Sequence, residues 1–120
     1  MRHSLSEEQI HMNPMVHNLE SMLAAGKDGA LLRYTLGKAY ADDEQMAVAR
    51  EHLRKATALD AEYSVAWKQL GKVELALGDA QAARAAWQQG LSCAQAKGDA
   101  QVVKELQVFL RRLDKQADGA

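Results

Sequence analysis

The chain repeats itself. Laid against itself at an offset of 34 residues, Leu36-Gly37 falls on Leu70-Gly71, Lys38 on Lys72, Ala49 on Ala83, Leu53 on Trp87 and Ala56 on Gly90, with no gap inserted. A further shift of the same size toward the N-terminus places Met15, Leu19 and Met22 under Ala49, Leu53 and Ala56. That earlier copy supplies only its second half. A fixed period of this length marks a stacked array, in which each unit buries its apolar face against its neighbours.

Each unit reads as two helices. The first opens at Asp28 or Gly29 and carries Leu32, Leu36, Ala39 and Tyr40 at helical spacing. Asp42-Asp43 closes it and offers a cap to the next helix, about 45–58, whose stripe is Met46, Ala49, Leu53 and Ala56. Asp60 is expected to cap a helix over about 62–77, with Val65 or Ala66, then Trp67, Leu70, Val73 and Leu77 inward. Gly78-Asp79 stops it and starts another, about 80–96. Upstream, Asn13-Pro14 is a cap and first-turn pair for a helix ending at Gly26. Downstream, Gly98-Asp99 opens a last helix bearing Val102, Leu106, Phe109, Leu110 and Leu113. The expected fold is all-α, with six helices in antiparallel pairs. One domain over 13–115 divides into a half-repeat 13–26, repeats 28–60 and 61–96, and a capping helix 99–115. The ends, 1–12 and 116–120, are expected to be disordered tails.

These residues resemble the tetratricopeptide-repeat (TPR) family. The first unit shows Leu36-Gly37, Tyr40, Ala49, Leu53 and Ala56; the second shows Trp67, Leu70-Gly71, Ala83, Trp87 and Gly90. The stretch ALDAEYSVAW, 58–67, is similar to the family's turn between repeats. Three positions depart from the pattern: Ala61 stands for a usual proline, Glu74 for a tyrosine, and Arg33 where the other copy has Trp67. The resemblance implies a right-handed α-solenoid whose first helices line a concave groove, closed by the last helix as a cap. It also implies groove-facing positions Leu31, Tyr34, Lys38, Ala41 and Asp42 in the first unit, and Val65, Lys68, Lys72, Leu75 and Ala76 in the second. Tyr34, Lys38, Lys68 and Lys72, with Leu75 as an apolar contact, are thus the implied partner-binding residues. A chaperone-tail clamp would need a lysine where Tyr34 stands and an asparagine where Lys38 stands. The same lysines equally suit an ordinary solvated face. Lys104, Val108, Arg111 and Lys115 share a stripe on the last helix that is either a far groove wall or the cap's polar outer face.

Other function classes find less support. Fifteen Lys and Arg against sixteen Asp and Glu leave a net charge of −1, so no global basic field exists to hold nucleic acid or anionic lipid. No apolar run approaches the roughly 20 residues of a membrane span, and the polar start MRHSLSEEQIHMN does not read as a signal peptide. A single cysteine, Cys93, excludes an internal disulfide and suggests a reducing, cytoplasmic setting and an inert buried thiol. His11-Met12 to Met15-Val16-His17 and Met1-Arg2-His3 look superficially like copper sites, but Met15 reads better as core and His52 as a surface or boundary residue. No catalytic residue, cofactor or metal site is expected: the glycines are helix punctuation, and Asp42, Asp43 and Glu44 mark a helix boundary. The expected function is therefore a monomeric, non-catalytic adaptor that holds a partner protein or peptide, acidic ones included, in the concave groove. The alternative is a structural subunit packing through its outer helices into a larger assembly.

Overall fold

The computed structural model describes residues 13–119. Among them six α-helices follow one another: α1 Pro14–Ala24, α2 Ala30–Asp42, α3 Met46–Leu59, α4 Ser64–Ala76, α5 Ala80–Lys97 and α6 Ala100–Gly119. Each packs against the next, α2 also touches α4, and α4 touches α6, whereas α3 and α5 do not meet. The array therefore closes on the side of α2, α4 and α6 and opens on the side of α3 and α5. It is an all-α solenoid of antiparallel pairs. The expected tail 1–12 lies outside the described residues.

Local signals place most helix ends. The Asn13 side chain accepts the Met15 N–H at 2.8 Å ahead of Pro14, and Asp79 accepts the Ala82 N–H at 3.0 Å. Gly26, Gly78 and Gly98, with φ of +89°, +87° and +73°, leave the helices in the left-handed region that glycine reaches without a Cβ clash. Two expected caps differ. The α3 N-cap is Gln45, reached through Glu44 at a positive φ, so Asp43 ends α2 without capping α3. Asp60 instead accepts the Glu62 N–H at 3.0 Å, a local turn that delays α4 until Ser64. The helix also outruns the expected boundary at 115, because nothing in 114–118 stops it. Residues 116–119 are the last turn of α6 rather than a tail.

Two apolar clusters form the core. The first joins Ala41, Leu53, Leu70 and Val73, and the second joins Ala83, Trp87, Val102, Leu106 and Leu113. The structure chooses Ala66, fully buried, over Val65, which is half-buried against the second cluster. The repeated small residues mark where helices cross. A Cβ on Gly37 would lie 2.5 Å from Leu53 Cγ, on Gly71 2.1 Å from Trp87 Nε1, and on Gly90 2.9 Å from Trp67 Cβ. Trp87 also donates its indole N–H to the Lys68 carbonyl at 3.0 Å, which fixes the ring over Gly71. On the first helix of the same repeat, Trp67 donates to the Ala61 carbonyl at 2.8 Å. Cys93 is half-buried rather than buried, its thiol 3.2 Å from that same carbonyl.

The junctions between repeats carry a second layer of the 34-residue symmetry. Tyr40 donates its hydroxyl to Glu20 across α1 and α2. One period later, Arg54 donates to Glu74 across α3 and α4, at 2.8 and 3.1 Å. Glu20 maps onto Arg54 and Tyr40 onto Glu74, so the junction keeps one polar pair and exchanges its chemistry. This explains the departure at Glu74: its nearly inaccessible carboxylate is held by Arg54, with Arg50 at 3.8 Å. Arg54→Glu alone would face two carboxylates across a buried junction. Because Arg54 itself is half-exposed, the expected loss is about 2 kcal/mol, below the usual cost of breaking a buried pair. Adding Glu74→Tyr transplants the first junction's pair and should restore most of it. Chemical denaturation of both variants checks this; equal loss in the single and double variants would refute the equivalence.

Candidate partner-binding clefts

The five residues singled out in the sequence do not line a single cleft. Tyr34 and Lys38 line a cleft of about 390 Å³ between α1 and α2, with Met15, Val16, Ala39 and Asp42. Lys72 and Leu75 line a second, of about 440 Å³, between α4 and α6. Lys68 belongs to neither. It is paired with Glu105 of α6 at 2.6 Å, and that contact holds the Glu105 carboxyl below its usual range, helped by a hydrogen bond from Gln101. Lys68 thus serves as a tie between α4 and the last helix. Lys38 is also partnered, 3.4 Å from Asp42 one turn along α2. The ladder of three free lysines reduces to Lys72, whose ammonium stands 6.0 Å from the Phe109 ring centre.

The α4–α6 cleft combines an apolar floor with a cationic rim. Trp87 and Leu113, both almost fully buried, form its floor, and Phe109 lies against Trp87 with ring centres 5.1 Å apart. Leu75 and Ala76 form one wall. Lys72, Arg112 and Gln116 surround the opening. Among the described residues, neither Lys72 nor Arg112 has a carboxylate within salt-bridge distance. An apolar floor under unpaired cations favours an apolar side chain flanked by carboxylates. Of the two roles open to the stripe Lys104, Val108, Arg111 and Lys115, the cap's outer face fits: its three cations are exposed and none of the four lines either cleft. The wall is instead Phe109, Arg112, Leu113 and Gln116, a helical spacing adjoining the buried stripe Val102, Leu106 and Leu113. That spacing was visible in the sequence; which neighbour faces it was not.

The α1–α2 cleft is more polar. Tyr34 is braced by Tyr63, ring centres 5.2 Å apart, and Asp42 and Asp43 stand at its end. Ala41, expected in the groove, is buried in the core instead. Behind this cleft, a polar cluster locks α1 to the first repeat. Arg33 grips Asp28 at 2.7 and 2.9 Å and reaches His52 Nδ1 at 3.1 Å, and His52 stacks on the Tyr40 ring. His52 is buried rather than superficial, because α1 brings Glu20 to within 3.7 Å of its Nε2. Burial pushes the His52 pKa down, opposed by Glu20, while burial and the Glu20 contact push Tyr40 up to about 12. Among the described residues, no three His, Cys, Asp or Glu gather as metal ligands, and no helix is long and apolar enough to cross a membrane.

Comparison with known proteins agrees with this architecture. No family model matches the chain. A TPR repeat-containing protein of Pseudomonas aeruginosa, PA0015, is 50% identical over 101 residues, 84% of this chain and 96% of that one. The solution structure of protein BPP2914 from Bordetella parapertussis superposes with a TM-score of 0.75 at 56% identity, covering 88% of this chain and 91% of that one. The crystal structure of MamA shares the fold at a TM-score of 0.61 and 23% identity, over 86% of this chain and 69% of that one. With a phased repeat, paired helices and 50% identity to a TPR repeat-containing protein over 84% of its length, the chain belongs to the TPR family of helical-repeat interaction modules.

Proposed function

We propose that this protein is a non-catalytic adaptor that holds a segment of a partner protein in the α4–α6 cleft on its concave side. The carrying observation is the apolar floor of Trp87, Phe109 and Leu113 beneath Lys72 and Arg112, two cations without carboxylate partners among the described residues. The ligand class that fits is a peptide with one apolar anchor and flanking acidic residues. Lys72, Leu75 and Arg112 carry the reading; Lys68 supports it by positioning α6. The adaptor acts as a monomer with this face open.

Partly exposed ion pairs contribute about 0–1 kcal/mol each, so apolar contact supplies much of the affinity and binding weakens with salt without vanishing. Titration with a synthetic acidic peptide carrying one Leu or Phe anchor is expected to shift the amide signals of α4 and α6. Lys72→Glu and Arg112→Glu should each weaken binding by up to about fivefold, while both variants keep the parent thermal midpoint. Shifts confined to α3 and α5 would overturn the assignment. A concentration-dependent oligomer in sedimentation that buries the cleft would favour the assembly role instead.

A further inference from the structure

The α1–α2 cleft sits where the array would carry another helix. In the first complete repeat, α2 lies against α3, covering Ala49, Leu53 and Ala56, each with no accessible surface, and it also touches α4. Shifted back by one period, those three residues are Met15, Leu19 and Met22 of α1. Met15 was expected in the core, yet it is 42% exposed, and Met22, in phase with buried Ala56, is 44% exposed. The neighbouring stripe explains why α1 stays folded: Val16 and Glu20 face α2, just as Arg50 and Arg54 one period later face α4. Thus α1 makes its outward junction, while the face that a first helix covers elsewhere is uncovered among the described residues. The cleft of about 390 Å³ lies along that face, bounded by Met15 and Val16 on one side and Tyr34, Lys38 and Ala39 on the other.

We infer that this cleft is a helix-accepting seat, distinct from the α4–α6 peptide cleft, and that it takes an amphipathic helix of another protein with basic residues in its last turn. Two features select this occupant. Met15, in the cleft, and Met22, farther along the same face of α1, stand where the complete repeats have Ala49, Ala56, Ala83 and Gly90, so an incoming helix meets long, adaptable thioether side chains in place of a close backbone crossing. An incoming helix that follows the array is antiparallel to α1 and runs alongside α2 in the same direction. Its C-terminal end then meets Asp42 and Asp43, at the negative end of α2. One Asp42 oxygen is engaged by Lys38, and the Asp43 carboxylate is met by Gln45, an uncharged donor. The lining carries one cation and two anions, a net negative end that a Lys or Arg complements. One face of an 11-residue helix offers only about 16 Å of length. That footprint is small against the roughly 800 Å² per partner of a stable interface, which disfavours a second copy docking α1 on α1.

The test uses the full chain and two synthetic helical peptides of roughly four turns with the same apolar stripe, one ending in Lys-Arg and the other in Glu-Glu. The Lys-Arg peptide is expected to shift the ε-methyl signals of Met15 and Met22 and leave that of Met46 in place. It should bind about fivefold more tightly than its Glu-Glu twin. Met15→Glu alters a half-exposed side chain and should keep the fold, yet weaken this binding about tenfold. Its affinity for the acidic peptide at the α4–α6 cleft should not change, so the two sites fail independently. Equal binding of both peptides, or no methyl shift at saturating peptide, overturns the proposal. So do nuclear Overhauser contacts from residues 1–12 to Met15 or Tyr34 in the free chain, since the chain would then cover its own seat. A dimer in sedimentation that Met15→Glu dissolves would assign the seat to a second copy and likewise overturn it.

Discussion

Gly71→Leu is expected to lose more than about 3 kcal/mol, at or beyond the upper end of the usual cost of overpacking. Even the first carbon of a side chain at this position would stand 2.1 Å from Trp87 Nε1, 2.4 Å from Cδ1 and 2.6 Å from Cε2. The indole cannot withdraw cheaply, because it is held by the Lys68 carbonyl at 3.0 Å and packed against the Phe109 ring at 5.1 Å between centres. Making space for a leucine therefore separates α4 from α5 and disturbs α6 as well. A fall in thermal midpoint of about 10 °C or more is the expected reading. Gly37→Leu should be milder, since its nearest neighbours are Cγ and Cδ2 of Leu53, at 2.5 and 2.8 Å, an aliphatic side chain with rotamers of its own rather than a hydrogen-bonded ring. An unchanged midpoint in Gly71→Leu, or a larger effect at Gly37, would show that this packing account is wrong.

Removing the chain from Asp99 onward is expected to abolish cooperative unfolding altogether. Val102, Leu106 and Leu113 are buried against Ala83, Trp87 and Ala94 of α5, with Phe109 and Leu110 packed around them. Each large apolar side chain contributes about 1.5–3 kcal/mol when fully buried, so their loss equals or exceeds the net stability of a typical domain. The deletion also breaks the Lys68–Glu105 and Arg84–Asp114 pairs that join α6 to α4 and α5. Retained far-ultraviolet helix signal, no sharp thermal transition and strong binding of a hydrophobic dye would be the signature. A soluble truncation with a sharp transition would show that α6 is dispensable, and would also remove one wall of the proposed peptide cleft from a still-folded protein.

Much of the architecture was legible because repeat physics is local. Leu36-Gly37 against Leu70-Gly71, and Leu53 against Trp87, record one packing solution used twice, and a period can be read without knowing any contact. Small residues opposite large ones announced the helix crossings that the Cβ distances at Gly37 and Gly71 now measure. Helix ends followed where the signal was a glycine or a side-chain cap within three residues, as at Asn13 and Asp79. At Asp43 the bounds held but the N-cap of α3 fell to Gln45, and at Asp60 a local turn moved the start of α4 to Ser64, choices left to the connecting geometry.

The fate of individual polar and edge residues was decided only in three dimensions. Lys68 and Glu105 are 37 positions apart, Tyr40 and Glu20 are 20, and Arg33 and His52 are 19; no periodicity announces whether a lysine finds a carboxylate across such a gap. The groove of three lysines was therefore read from positions that are equivalent in the repeat, whereas their partners are not. Lys38 meets its own Asp42, Lys68 meets the cap, and Lys72 meets an aromatic ring. Met15 and Met22 show the same limit at the edge of the array. The sequence by itself determined which face of α1 is equivalent to the buried face of α3, because that is a matter of phase. Whether that face is covered depends on a neighbouring helix, and burial belongs to the pair of surfaces rather than to either one.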